Sequence, residues 1–398
     1  MSNKGRVIIV GGGSFGLSAA IELNRRGWKV EVFDLGPIPH PLAATTDISK
    51  VLRMDYGSDE DYMILMEQAF EVWDEWNRVW TEPLWHETGF VIMKHEEMEP
   101  GSFEFESYRL LKKRGHKVQR LDSAELKRRF PAWQAELYSD GYFNPRAGWV
   151  ESGRVLEWLY TEAQKLGVRF HIGKKFSHLL DKDSRVIGIQ TDDGEKHLAD
   201  FVIVTAGAWT PHLLPYLSDV LWTVFQPVFH FQVPDMELFT PPNFVVWAAD
   251  ITNTGWYGFT AIQDNRFKIA NHGSGWHFHP DEPRVMPADQ EAKFRAFLNE
   301  TFPALADAPV LFNRLCPYCD SWDGNLWIDH DPDRPGLIVA TGDSGHAFKF
   351  TPLLGKLISD VLERKPNQFT PKFAWRPRGK ITTEDARFAG SQGEAAGR

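Results

Sequence analysis

Cysteine is scarce in this chain. Two in 398 residues exclude a disulfide framework and point to a reducing compartment. Long apolar runs are missing as well: none approaches the ~18 residues of a membrane span. The N-terminal stretch MSNKGRVIIVGGG carries an apolar run too short for a signal peptide and suited to a strand. The closing GEAAGR is no peroxisomal tripeptide. Positive charge is in deficit, with 44 Lys and Arg against 54 Asp and Glu and a net charge of −10, which argues against nucleic acid as a partner. There are no internal repeats. These absences leave a cytoplasmic, soluble protein without membrane segments, long enough for two domains or one elaborate one. Sixteen tryptophans suit a large core and an aromatic-walled pocket.

The strongest positive signal runs from Arg6 to Asp34, RVIIVGGGSFGLSAAIELNRRGWKVEVFD. Val7 to Val10 read as a buried parallel strand. Gly11-Gly12-Gly13-Ser14-Phe15-Gly16 then matches G-x-G-x-x-G. Leu17, Ala20, Ile21 and Asn24 share one face of the helix that follows, Gly27 stops it, and the strand Lys29 to Phe33 ends in Asp34. Gly11 permits the tight turn, Gly13 lets the backbone approach a pyrophosphate, and Gly16 packs helix on strand. Ser14 and Phe15 open a helix whose N-terminus offers N–H groups to phosphates. Asp34 can accept hydrogen bonds from a ribose. The register of these parts specifies a dinucleotide site but does not separate FAD from NAD.

Further along, Thr45 to Arg53 (TTDISKVLR) reads as a turn entering a short helix, with Lys50 and Arg53 on one face. Those two cations could hold a carboxylate or the negative charge of a reduced flavin, or form a solvated basic turn. Asp59 to Trp80 is a helix with Met66, Phe70, Trp73 and Trp76 as a core stripe. His86 to Met93 reads as a strand, 94–130 as mostly helical, and Gly141 to Trp149 as turns. Ser152 can cap a helix that Gly167 ends. An apolar strand running into Thr205-Ala206-Gly207-Ala208-Trp209 is a second close backbone approach, and it tips the choice toward FAD. Trp256 to Phe259 and Phe267 to Ala270 read as paired strands, with Lys268 on the face opposite Phe267 and Ile269. Gln290 to Glu300 is a helix. Cys316-Pro317-Tyr318-Cys319 admits a dithiol redox reading, although that motif normally opens a helix in a thioredoxin-like domain. Gly342 to Lys349, GDSGHAFK, is a second glycine-rich junction between a strand and the helix from Pro352 to about Leu362. Gly342, Ser344, Gly345, His346, Phe348 and Lys349 are therefore expected to face the cofactor. Residues 379–398 read as a loose polar tail. No metal-ligand spacing occurs.

Together these residues resemble the flavin amine oxidases of the monomeric sarcosine oxidase type, a group that includes pipecolate, saccharopine and fructosyl amino acid oxidases (amadoriases). The resemblance runs from the N-terminus to about Arg378 and rests most on Cys316-Pro317-Tyr318 followed by Asp329, and on Ala340 to Lys349. Leu311 to Arg314, the Gly-Asp-Ser-Gly-His run and Trp375-Arg376-Pro377 are most similar to fructosyl amino acid oxidases. It implies an α/β fold: a Rossmann-like FAD-binding domain interleaved with an antiparallel-sheet substrate domain, of the DAO or glutathione-reductase-2-like kind. The expected boundaries are 1–85, 150–215 and 325–378 for the first and 86–149 and 216–324 for the second. The resemblance also implies roles. Cys316 falls where the family joins its thiol to FAD, and Lys268 where a lysine promotes the reaction with oxygen. Arg53 and Lys349 fall where the substrate carboxylate binds, and Tyr257, His272 and Tyr318 line the pocket. With Lys50 these form the expected catalytic and binding set.

The markers of substrate disagree. Lys50 is the fructosyl-like choice and His272 the sarcosine-like one, while the histidine that sarcosine enzymes carry near Thr46 is absent. The implied activity is FAD-dependent oxidation of the secondary amine of an N-substituted amino acid, with oxygen as acceptor and hydrogen peroxide as product, by a monomer. A flavin dehydrogenase with another acceptor and a non-catalytic flavin-binding protein are the alternatives.

Overall fold

The computed structural model describes residues 4–388. The glycine motif lies in a six-stranded sheet. Its strands run in the order Trp327–His330, Leu337–Thr341, Phe201–Val204, Arg6–Val10, Lys29–Asp34 and Arg169–Ile172. All neighbours are parallel except the first pair. Because the strands are buried on both faces, Val7, Ile9, Ile203 and Val339 are fully shielded from solvent. The helices Ser14–Arg25 and Thr351–Leu362 both begin at the carboxyl ends of parallel strands. They pack closely, with Ser18 Oγ donating to Thr351 O at 2.9 Å, so both N-termini open on the same edge of the sheet, the edge where α/β folds bind ligands.

A second sheet of eight strands runs in the order Val310–Ser321, Leu221–Gln232, Arg266–Asn271, Trp256–Gly258, Val246–Ala249, Phe90–Lys94, Asp140–Asn144 and Gln119–Asp122. It is antiparallel apart from the pairing of Val246–Ala249 with Phe90–Lys94. Alternation gives it two different faces. Phe229, Phe231, Phe267, Ile269 and Trp247 form a core with the helix Gln290–Thr301 on one side. On the other side Val228, Ala270, Cys316 and Tyr318 cluster against Ala44 and Tyr257. Lys268 alternates onto this second face between two core residues, as the spacing indicates, and is itself buried.

Several local expectations are overturned. Lys50–Leu52 is a strand rather than a helix. It pairs with Gly148–Val150, which also pairs with Trp85–His86, and these long-range partners override the local turn signal. Two strands, Asp140–Asn144 and Gly148–Val150, occupy the stretch read as turns. Residues 86–93 hold a break between Trp85–His86 and Phe90–Lys94. Ser152 is the first helical residue and follows Glu151 at the cap; its hydroxyl donates to Asp47 O at 2.8 Å. The dithiol reading fails. Cys316 and Cys319 are both free on one extended strand, where residues three apart lie roughly 10 Å from each other, beyond disulfide reach. The loose tail is also wrong for the described residues 379–388, as the site shows.

Candidate functional site

The glycine turn is shaped for close approach. Gly11 has φ +107°, and a Cβ there would meet Thr205 O at 2.7 Å. A Cβ on Gly16 would lie 1.9 Å from Gly11 O, so Gly16 serves helix–strand packing and lines no cavity. Above the turn lies a cleft of ≈ 340 Å³, in the size range of cofactor sites. Gly11, Gly13, Ser14, Phe15 and Asp34 line one end, and Lys50, Tyr318, Gly345 and Phe348 the other. No side chain caps the helix that starts at Ser14, and its first turn holds no acid, which leaves the positive dipole end open to phosphate. The Thr45 hydroxyl is buried beside Gly13 without a partner among the described residues. Asp34 accepts from the N–H of Gly12 at 2.7 Å and of Gly36 at 3.0 Å, and burial raises its carboxyl above the usual range. An uncapped helix, an orphaned hydroxyl and an acid at the strand end fit a dinucleotide.

A smaller cavity of ≈ 80 Å³ adjoins the cleft, sharing Lys50, Tyr318, Gly345 and Phe348 with it. Arg53, Lys268, His272, Tyr257, His346 and Lys349 also line it. The structure thus brings together Lys50, Arg53 and Lys268, although Lys50 and Arg53 arrive from a strand end and not a helix face. Cys316 lies behind the wall between the two cavities, its Sγ 4.0 Å from Lys50 Nζ and 3.9 Å from Ala44 O. Gly342 lines neither cavity, and Ser344 faces elsewhere, its hydroxyl accepting from Ser321 N at 3.3 Å.

Each buried charge in this pocket has a partner from a distant segment. Lys268 Nζ donates to Asp47 Oδ2 at 2.7 Å and to Ser49 O at 2.6 Å. Burial lowers Lys268 to about 8, with Asp47 opposing the fall. Burial works to raise Asp47 too, but Lys268, Lys50 and Arg314 outweigh it and hold it well below the usual carboxylate range. Lys349 Nζ donates to Tyr56 OH at 2.9 Å, and that hydroxyl faces His346 Nδ1 at 3.0 Å. Burial, then the neighbouring Arg53, pushes Lys349 well below its ordinary value. Arg53 Nη2 meets Glu384 Oε1 at 3.2 Å, while its Nη1 is buried without a partner among the described residues. Glu384 Oε2 lies 3.1 Å from His272 Nε2. Burial lowers His272, whereas the His272 hydrogen bond and Arg53 overcome burial and keep Glu384 ionised. A neutral His272 therefore carries its proton on Nε2, toward the carboxylate, and leaves Nδ1 as an acceptor.

Glu384 comes from the stretch read as a loose tail. Thr382 N donates to Trp322 O at 2.8 Å and Phe388 N to His272 O at 3.0 Å. Arg387 grips Asp320 with both Nη atoms, and its Nη2 also reaches Ser344 O at 3.2 Å. Ala386 is fully buried. Sequence reasoning missed Asp47, Asp320, Glu384 and Arg387. The one signal was Ala386 and Phe388 alternating with the charges, a pattern that a solvated tail does not need.

The comparisons with known proteins agree with this architecture. A family model described as FAD dependent oxidoreductase (DAO) matches residues 6–361. The L-saccharopine oxidase of Schizosaccharomyces pombe is 29% identical over 414 residues, covering 94% of this chain and 94% of that protein. The N-methyl-L-tryptophan oxidase of Salmonella enteritidis PT4 is 29% identical over 370 residues, covering 91% and 96%. Among solved structures, fructosyl amine:oxygen oxidoreductase (Amadoriase I) from Aspergillus fumigatus has a TM-score of 0.81 at 27% identity, covering 98% of this chain and 94% of that one. With the family match spanning the nucleotide cleft, both large sheets and most of the pocket, the protein belongs to the FAD dependent oxidoreductase (DAO) family.

Proposed function

We propose that this chain oxidises the secondary amine of an N-substituted amino acid, with oxygen as electron acceptor. The observation that carries the reading is the small cavity joined to the nucleotide cleft, with Arg53 Nη1, which has no partner among the described residues, and the Lys349 amine in its wall. FAD, when bound, accepts two electrons from the carbon beside the amine and passes them to oxygen. Arg53 and Lys349 bind the substrate carboxylate and fix the amine's position, with Tyr257 and Tyr318 closing the sides. A carboxylate there favours the charged Lys349 that burial alone disfavours. His272 Nδ1 accepts from the amine N–H. Lys268 and Lys50 supply fixed positive charge where negative charge develops during the oxygen reaction. In sum, a C–H and an N–H bond give two electrons and two protons, oxygen takes them as hydrogen peroxide, and water splits the resulting imine.

Gly11, Gly13, Ser14, Phe15 and Asp34 hold the adenosine and pyrophosphate side, and Asp343, Gly345, Ala347 and Phe348 the flavin side. Cys316 would hold the flavin through a thioether to a ring methyl, with the S–H and C–H hydrogens leaving as two protons and two electrons that oxygen takes up as hydrogen peroxide; its place beside Lys50, with Sγ 4.0 Å from Nζ, supports this role. The FAD-binding portion comprises 1–85, 150–215 and 325–378, and the substrate portion 86–149 and 216–324, with Glu384 added from the C-terminal segment. The scarcity of cysteine, two in 398 residues, supports a reducing, cytoplasmic setting, and the chain acts as a monomer.

The test is anaerobic mixing with sarcosine, pipecolate, saccharopine and fructosyl amino acids. Loss of the oxidised flavin band with one of them, followed by oxygen-dependent peroxide release, is the expected result. Bleaching without peroxide would assign a dehydrogenase, and no bleaching by any amine would overturn the reading.

A further inference from the structure

The C-terminal segment brings a carboxylate into a pocket whose remaining groups are arranged to bind one. Glu384 takes Arg53 Nη2 and His272 Nε2 and leaves Arg53 Nη1 free. Its position is fixed from both sides. Arg387, three residues on, is locked to Asp320, and both side chains are almost wholly buried. The N–H groups of Thr382 and Phe388 bond to Trp322 O and His272 O. Gly324 packs so closely beneath the segment that a Cβ there would lie 2.6 Å from Glu384 N. Glu384 also borders a second cavity of ≈ 170 Å³. A ligand arm reaching past Arg53 therefore meets this carboxylate first.

We propose that Glu384 is a specificity-determining residue: it is a resident carboxylate on one arm of Arg53 that admits substrates with a single carboxylate and a neutral or cationic arm, and rejects those whose arm carries a second carboxylate. The inference rests on the amine oxidase reading and narrows its substrate class. The first carboxylate binds Arg53 Nη1 and Lys349, both unused by other acids. A second acid on the same ligand would sit beside the ionised Glu384, whose side chain is itself buried. Like charges repel strongly there, and the other cations of the lining already face an acid, Lys268 against Asp47 at 2.7 Å and Lys50 beside the same carboxylate at 3.9 Å.

Calorimetric binding of acetate and glutarate to the flavin-loaded enzyme tests this without turnover. The wild type should bind glutarate no more tightly than acetate. Glu384→Gln keeps the size and removes the charge, and it should tighten glutarate at least tenfold more than it tightens acetate. Glu384→Asp should keep the wild-type ratio. The proposal is overturned if the wild type itself prefers glutarate tenfold, a result that needs no variant to fold. It also falls if the Gln variant changes both ligands by one factor, or if acetate binds neither form. Failure of every amine to bleach the flavin would instead remove the oxidase reading and leave this binding ratio as measured.

Discussion

Replacing Lys268 by Met separates the two halves of the proposed reaction. The ammonium lines the small cavity, and Asp47, 2.7 Å from it, lines neither cavity. A unit charge at ~4 Å with an effective dielectric of ~20 is worth about 4 kcal/mol. An opposite charge about 7 Å from the same point cancels about 2 kcal/mol of that. The net field on negative charge developing during the oxygen reaction is thus about 2 kcal/mol, or about 30-fold in rate. Lys268→Met should slow reoxidation by about that factor or more and leave anaerobic reduction by substrate nearly unchanged, which stopped-flow absorbance measures directly.

The sign of the pH dependence follows from the lysine. Burial sets it at about 8, so it is cationic below that value and neutral above. The wild-type reoxidation rate should fall as pH rises through about 8, and the Met variant should be slow and flat across the range. Stability moves the other way. Between about 8 and 10.5 the unfolded lysine holds a proton that the folded one has lost, so folding is favoured as pH rises. At about 1.4 kcal/mol per pH unit, the wild type gains about 3 kcal/mol on the variant across that window. A pH break that persists in the variant, or equal slowing of both half-reactions, would refute the assigned role.

Three other outcomes are expected. Cys316→Ala should release FAD into the supernatant on acid precipitation where the wild type keeps it in the pellet; equal retention would place the linkage elsewhere. Arg53→Met removes the charge that the substrate carboxylate meets and leaves Glu384 with His272 as its remaining partner, so kcat/KM for the best amine should fall by about 10²-fold or more, measured by oxygen uptake. Asp320→Asn breaks the buried pair with Arg387, at about 3–5 kcal/mol; a lowered Tm should accompany faster proteolytic cutting within residues 379–388.

The parts of the fold visible in the sequence were those with a local cause. The glycine turn is legible because its steric demands fall on consecutive residues, and the close approach of Gly16 to Gly11 follows from the same spacing. Lys268 is legible as facing away from Phe267 and Ile269 because side chains alternate on a strand, and the pocket occupies that second face. Lys50 to Arg53 was misread because its three-residue strand is held by Gly148–Val150, about 100 residues away. Asp47, flanked by Thr46 and Ile48, has the look of a turn former; its partner Lys268 is 221 residues distant. Glu384 and Arg387 answer to Arg53, His272 and Asp320, the first of them 331 residues away.

These distant pairings explain the charge the pocket presents. An ion removed from water must be paired or neutralised, and the chain meets this requirement segment by segment. Lys268 goes to Asp47, Arg387 to Asp320, and half of Arg53 to Glu384. After those pairings, among the described residues Arg53 Nη1 has no acceptor and Lys349 has only the Tyr56 hydroxyl. A buried guanidinium arm without a partner is costly unless a ligand supplies the acceptor. The remaining demand is for one carboxylate, placed inside the small cavity that adjoins the nucleotide cleft. A pocket with Arg53 and Lys349 both free would have taken a dicarboxylate equally well. Glu384 removes that capacity, which is why the C-terminal segment is decisive for what the site accepts.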